Sequence, residues 1–102
     1  MDLVTFQELM ARTYGERDTQ RGRAATVAWL AEEAGELARA VRKGNPDQQL
    51  HELGDVLAWL ASLANQLGLS LDDAAARYAE GCPVCGSAPC TCPPSGDQAA
   101  AV

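Results

Sequence analysis

The sequence predicts an all-α fold, a four-helix bundle. Three observations carry this. Apolar residues recur at three- and four-residue spacing through two long stretches, residues 23–43 and 48–67. Gly44-Asn45-Pro46 and Gly68 close those stretches. The composition is 47% hydrophobic but only 5% aromatic, and the Ala and Leu that dominate it suit closely packed helices better than a sheet. At 102 residues the chain is one small domain with a short appendage, and so thin a core is commonly completed by oligomerisation.

A first helix is expected from Leu3 to Tyr14, with Phe6, Leu9, Met10 and Thr13 on one face. Gly15 to Gly22 is polar and charged and reads as a connection. A second helix runs from Arg23 to Lys43, stopped by a Gly C-cap signal and a proline, with Arg39, Arg42 and Lys43 complementing the dipole in its last turns. Asp47 can cap a third helix from Gln48 to Leu67. Ser70, Asp72 and Asp73 open a fourth that extends to Glu80. Beyond Gly81 the run CPVCGSAPCTCPP cannot continue a helix. The expected organisation is therefore a helical domain over 1–80, a cysteine segment over 81–93, and a disordered tail over 94–102.

The formal net charge is −6, which argues against nucleic-acid polymers and anionic membrane surfaces as partners. Seven of the eight basic residues precede position 44, which leaves Arg77 alone in the second half. No run of 18 apolar residues exists, and MDLVTFQELM lacks the basic and apolar regions of a leader, so the expected location is the cytoplasm.

Five carboxylates fall on the two long helices: Glu32, Glu33 and Glu36 in WLAEEAGELARAV, then Glu52 and Asp55 in HELGDVLAWL. At about 100° per residue, Val27, Leu30, Ala31, Ala34, Leu37, Ala38 and Val41 make an apolar stripe, and the three glutamates share a sector away from it. Such a run is ordinarily a solvated face. Trp29 argues against that, because it precedes the glutamates by three, four and seven residues and projects into their sector. On the third helix Leu50, Leu53, Val56, Leu57, Leu60, Leu63, Ala64 and Leu67 form the stripe, with Trp59 between Glu52 and Asp55 in projection. Each tryptophan also suits a helix or subunit interface. Clustered, partly desolvated glutamates repel one another, and a bound cation removes the conflict. With oxygen ligands almost throughout, and only His51 nearby, Mg²⁺ or Mn²⁺ is favoured over Zn²⁺. His51 itself reads as a solvated surface residue.

The pairing of EEAGE with ELGD resembles the EExxE…ExxD pattern of the MazG-like, all-α nucleoside triphosphate pyrophosphohydrolases, over roughly residues 2–80. The resemblance implies an enzyme, a homodimer or homotetramer, that hydrolyses a (deoxy)nucleoside triphosphate between its α and β phosphates to a monophosphate and pyrophosphate. It implies Glu32, Glu33, Glu36 and Asp55 as Mg²⁺ ligands, with Glu52 either a ligand or the group that directs the attacking water, so that Glu52 and Glu33 are the catalytic candidates. Asn65 in LANQLG matches a family asparagine that contacts nucleotide, though it also suits a structural role. Relatives place Lys and Arg after the third helix. This chain has only Arg77 there, so Arg21, Arg23 or a neighbouring subunit are the alternative sources of phosphate contacts, with Trp29 and Trp59 at the substrate.

Cys82, Cys85, Cys90 and Cys92 form CxxC, four residues, then CxC. Four thiolates this close can wrap one tetrahedral Zn²⁺ in a compact structural knuckle, with local disulfides or a redox switch as the other outcomes. A different class of function stays open beside hydrolysis: a non-enzymatic helical interaction module whose acids are solvated and whose knuckle binds a partner.

Overall fold

The computed structural model describes residues 1–94, so the expected tail lies, beyond Pro94, outside the described residues. Four helices follow one another: α1 (Leu3–Arg21), α2 (Arg23–Lys43), α3 (Pro46–Leu67) and α4 (Leu71–Ala76). Among the described residues there is no strand, and no helix is long and apolar enough to cross a membrane. The chain divides into two compact units, the first ending at Leu71 and the second beginning at Asp72.

In the first unit α1 starts at Asp2, whose carboxylate accepts the Thr5 N–H at 2.8 Å. It runs on through the segment 15–22 that the sequence assigns to a connection. The inward residues of that segment explain the difference. Asp18 is buried and bonded to Arg21, and the Gln66 side chain donates to the Asp18 carbonyl at 2.7 Å, so tertiary contacts outweigh the roughly 1 kcal/mol that Gly15 costs a helix. The break shrinks to Gly22, whose φ of 85° favours glycine.

Asn45, not Asp47, caps α3. Its side chain accepts the Gln48 N–H at 2.9 Å while the Gln48 side chain accepts the Asn45 N–H at 3.0 Å, and Pro46 follows in the first turn where its missing N–H costs nothing. Gly68, at φ 68°, ends the helix in the left-handed region. α4 stops at Ala76, four residues short of its expected end. Residues 77–79 instead donate to carbonyls three positions back, the tighter winding of frayed helix ends.

α3 packs against both α1 and α2, which touch each other far less. The buried interior is small: Ala40, Ala61 and Ala64, with Thr26, Ser62 and Asp18. On α2, Thr26, Glu33 and Ala40 stand seven residues apart and are covered in whole or part, so α3 lies along the border between the apolar stripe and the acidic sector. Most of the stripe stays open. Val27 is 50% and Val41 64% exposed, and on α3 Leu50, Leu53, Leu57 and Leu60 are likewise exposed.

Candidate functional site

The border position of α3 brings acids of the two helices together. The Glu33 carboxyl is pushed above its usual range, first by burial and then by the charges of Asp55 and Glu52, a hydrogen bond with Glu52, and the charge of Glu36. Glu52, half-buried, has an Oε2 that is enclosed and without a hydrogen-bond partner. His51 Nε2 lies 3.3 Å from Asp55 Oδ2, and His51, Glu52 and Asp55 can bring one ligand atom each within 4.8 Å of the others. The His51 side chain is 71% exposed. Glu32 is exposed and is not among the groups that raise Glu33.

These features fit a hard divalent cation. An enclosed carboxylate oxygen with no donor and a neighbour forced toward protonation are both relieved by positive charge, and the donors are oxygens with one imidazole.

Cavities flank the acids. One, of about 340 Å³, is lined by Tyr14, Arg17, Asp18, Arg21, Asp55, Ala58, Trp59 and Ser62. The other, of about 250 Å³, is bordered by Glu36, Arg39, Lys43, Gln48 and Glu52. Asp55 thus faces one and Glu52, three residues earlier, the other. Trp29 and Trp59 stack with centroids 5.9 Å apart and planes at 11°, which joins α2 to α3 beside the acids. Arg21 lies over Trp59, 4.6 Å from the ring centroid, and bonds Asp18 at 2.7 Å.

Asn65 stands apart from this group. Its Oδ1 accepts from Gln7 Nε2 at 2.9 Å, its Nδ2 donates to the Gln7 carbonyl at 3.2 Å, and Gln7 Oε1 accepts the Leu71 N–H at 2.8 Å. Both ends of the amide thereby tie α3 to α1. Arg77 belongs to the second unit, where it lies over the Tyr78 ring and donates to its hydroxyl at 2.9 Å. Three contributors, Asp18, Arg39 and Lys43, were not singled out as site residues from sequence. Asp18 is hidden in a polar run, its one signal being the helical i,i+3 spacing to Arg21. Arg39 and Lys43 read as dipole partners, yet they share a cavity wall with Glu36 and Glu52.

In the second unit the four cysteines are free thiols whose sulfurs all lie within 4.8 Å of one another. Cys82 and Cys92 are 3.8 Å apart, Cys85 and Cys90 3.9 Å. Four sulfurs ~2.3 Å from one tetrahedral Zn²⁺ would be about 3.8 Å apart. The turn is drawn tight by Gly86 N–H to the Cys82 carbonyl at 2.7 Å and Cys82 N–H to the Ser87 carbonyl at 2.9 Å. Gly81, at φ 100°, has no room for a side chain, since a Cβ would sit 2.6 Å from the Ser87 oxygen. N–H groups reach the sulfurs too, Thr91 to Cys85 at 3.3 Å and Cys92 to Cys90 at 3.4 Å. The Thr91 N–H, with help from Ser87, lowers Cys85 to about 5, and backbone N–H groups of Cys85 and Val84 lower Cys82. Cys92 is pushed up to about 12 by its contact with Cys90, by burial and by the other thiols. Cys90 rises despite the Cys92 N–H, through Cys82, burial and Cys85.

An all-helical unit with EExxE on one helix and ExxD on the next defines a class, and residues 21–81 match the MazG nucleotide pyrophosphohydrolase domain. The chain belongs to that family. It is also 35% identical over 97 residues to the uncharacterized protein YvdC of Bacillus subtilis (strain 168), a match that spans 78% of this chain and 92% of the relative.

Proposed function

We propose that the chain is a Mg²⁺-dependent nucleotide pyrophosphohydrolase that converts a (deoxy)nucleoside triphosphate to its monophosphate and pyrophosphate, as in cytoplasmic clearing of the nucleotide pool. The observation that carries this reading is the gathering of Glu33, Glu36, Glu52 and Asp55 between two cavities, one with an aromatic wall and one with a basic border. Glu33, Glu36, Glu52 and Asp55 would hold the cation, with exposed Glu32 at the rim. When bound, Mg²⁺ supplies charge neutralisation for the phosphates and a more acidic water.

The chain's own groups then divide the work. Trp59 and Trp29 flank the nucleoside end, and Arg39 and Lys43 attract the β and γ phosphates, which supplies the cations that the segment after α3 lacks. Water oxygen forms a bond to the α-phosphorus, the bond to the α–β bridging oxygen breaks with its electron pair leaving on pyrophosphate, and the water proton passes to a carboxylate. Glu33 and Glu52 suit that acceptance, because burial and neighbouring acids push the Glu33 carboxyl upward and the enclosed Glu52 Oε2 has no donor of its own.

Two features beyond the acids complete the reading. Cys82, Cys85, Cys90 and Cys92 hold a structural Zn²⁺, supported by sulfur spacings of tetrahedral size. The exposed stripes Val27 to Val41 on α2 and Leu50 to Leu60 on α3 pair with a second copy of the chain, forming a homodimer or homotetramer that completes the alanine core. A panel of nucleoside triphosphates with Mg²⁺, assayed for both products, tests the reaction. The expected result is stoichiometric monophosphate and pyrophosphate, lost in a folded Glu36→Gln protein; full activity in that variant would overturn the assignment of the acids.

A further inference from the structure

The Asp18 side chain is enclosed at the wall of the larger cavity, and Asp18 is 2% exposed as a residue. Its Oδ1 accepts from Arg21, while its Oδ2 is buried with no hydrogen-bond partner among the described residues. Gln66 fixes the main chain there by donating to the Asp18 carbonyl at 2.7 Å. An enclosed carboxylate oxygen without a donor is unfavourable, and it is accounted for where a ligand brings the donor. The same cavity offers the Trp59 ring as a wall and Asp55, from the carboxylate cluster, at its edge.

We infer that this cavity is the base subsite and that Asp18 selects a guanine-type edge, one that presents two adjacent N–H donors. The inference rests on the proposed nucleotide chemistry, because Asp55 links the cavity to the acids where the phosphates would lie. A carboxylate offers acceptors only. Guanine presents N1–H beside its 2-amino group, whereas adenine and cytosine set an acceptor beside their amine and uracil flanks N3–H with two carbonyls. The fragment of guanine around C2 is chemically a guanidine.

That identity explains the arrangement of Arg21. Its guanidinium lies over the Trp59 ring and gives an N–H to Asp18, the two positions a guanine would take. Arg21 therefore stands in for the base in the ligand-free chain. On binding, guanine takes its place against Trp59, and the displaced cation is released toward the negative phosphates. Asp18 is a specificity residue in this scheme, and Arg21 moves between two partners.

The test titrates the full chain, without Mg²⁺, with guanosine monophosphate and inosine monophosphate while following tryptophan fluorescence. Inosine keeps N1–H and lacks the 2-amino group. Guanosine monophosphate should quench the emission and bind about tenfold or more tightly than inosine monophosphate, with adenosine and cytidine monophosphates weaker still. In Asp18→Asn, checked for folding by thermal melt, the guanosine-to-inosine ratio should fall to about one. Equal binding of the two nucleotides to the unaltered chain, no quenching by guanosine monophosphate, or an unchanged ratio in folded Asp18→Asn would overturn the inference. Should Asp18→Asn not fold, the ratio in the unaltered chain decides alone. A parallel hydrolysis assay separates the two claims. Cleavage of triphosphates regardless of base leaves the reaction standing and removes the guanine preference, whereas selective guanosine binding with no cleavage does the reverse.

Discussion

The chain gathers four acidic side chains in each of two places, thiols in one and carboxyls in the other, and the two gatherings differ in how they are made. The cysteines lie within an eleven-residue stretch, so backbone turns and two glycines suffice to bring their sulfurs within 4.8 Å. The carboxylates come from two helices, and the packing of α3 along one line of α2 sets their spacing. Sulfur in a closed tetrahedron suits a permanent ion, while half-open oxygens suit an ion that arrives with a substrate and leaves with a product. The contrast teaches that a local site can be read from spacing alone, whereas a site between helices depends on which faces meet.

The largest effect should come from the local site. Structural zinc in such knuckles contributes on the order of 10 kcal/mol, so Cys85→Ser should abolish stoichiometric zinc in metal analysis and unravel residues 82–92 in amide exchange. The Mg²⁺ response of the helical unit should persist, and its loss would break the separation of the two sites. Next in size, Asp55→Asn should lower kcat by about 10²-fold or more in a steady-state assay, since the cation it helps to hold is worth several kcal/mol of transition-state charge, while zinc content is retained.

Smaller effects sharpen the comparison. Mg²⁺ at a hundredfold excess over its dissociation constant should stabilise the fold by ~2.7 kcal/mol, read as a rise in Tm, and a folded variant without the acids should not respond. Leu57→Glu should weaken self-association in sedimentation by about tenfold or more, since burying a leucine is worth ~1.5–3 kcal/mol.

The smallest effect concerns Glu33, whose folded pKa is raised by burial and by Asp55 and Glu52. Stability from its protonated form is fully present below the ordinary carboxylate pKa and is lost as pH rises through the raised folded value. Glu33→Gln should therefore flatten the pH dependence of the metal-free Tm across that window and raise Tm at neutral pH. An unchanged profile would count against the burial and charge crowding of Glu33.

Much of the frame was legible from residue spacing. The periodicity of 23–43 and 48–67 marked α2 and α3, and CxxC with CxC marked the thiol cluster. What could not be read was orientation. The seven-residue line of Thr26, Glu33 and Ala40 carries no more apolar character than its neighbours, so nothing local announced that it would meet α3 in preference to the Val27–Val41 stripe. Residues 15–21 were misread for the same reason, since the helical state there is upheld by Asp18, Arg21 and Gln66 acting across elements. Capping by Asn45 is present in the sequence as N-x-x-Q, and Pro46 serves there as the first residue of α3 as well as the breaker of α2, which places the cap two residues ahead of Asp47.

The small interior also bears on ion choice. Along its inward line α2 covers only Thr26 and Ala40, one on either side of Glu33, so small side chains let α3 approach and thereby fix the gap that the carboxylates must bridge. Mg²⁺ demands oxygens at ~2.0–2.1 Å in near-octahedral array and Ca²⁺ accepts ~2.3–2.6 Å with looser geometry. In the proposed cation site the width of that seam would gauge ionic radius, and the Ala40 methyl, about one helical turn beyond Glu36, would bear on the choice of metal.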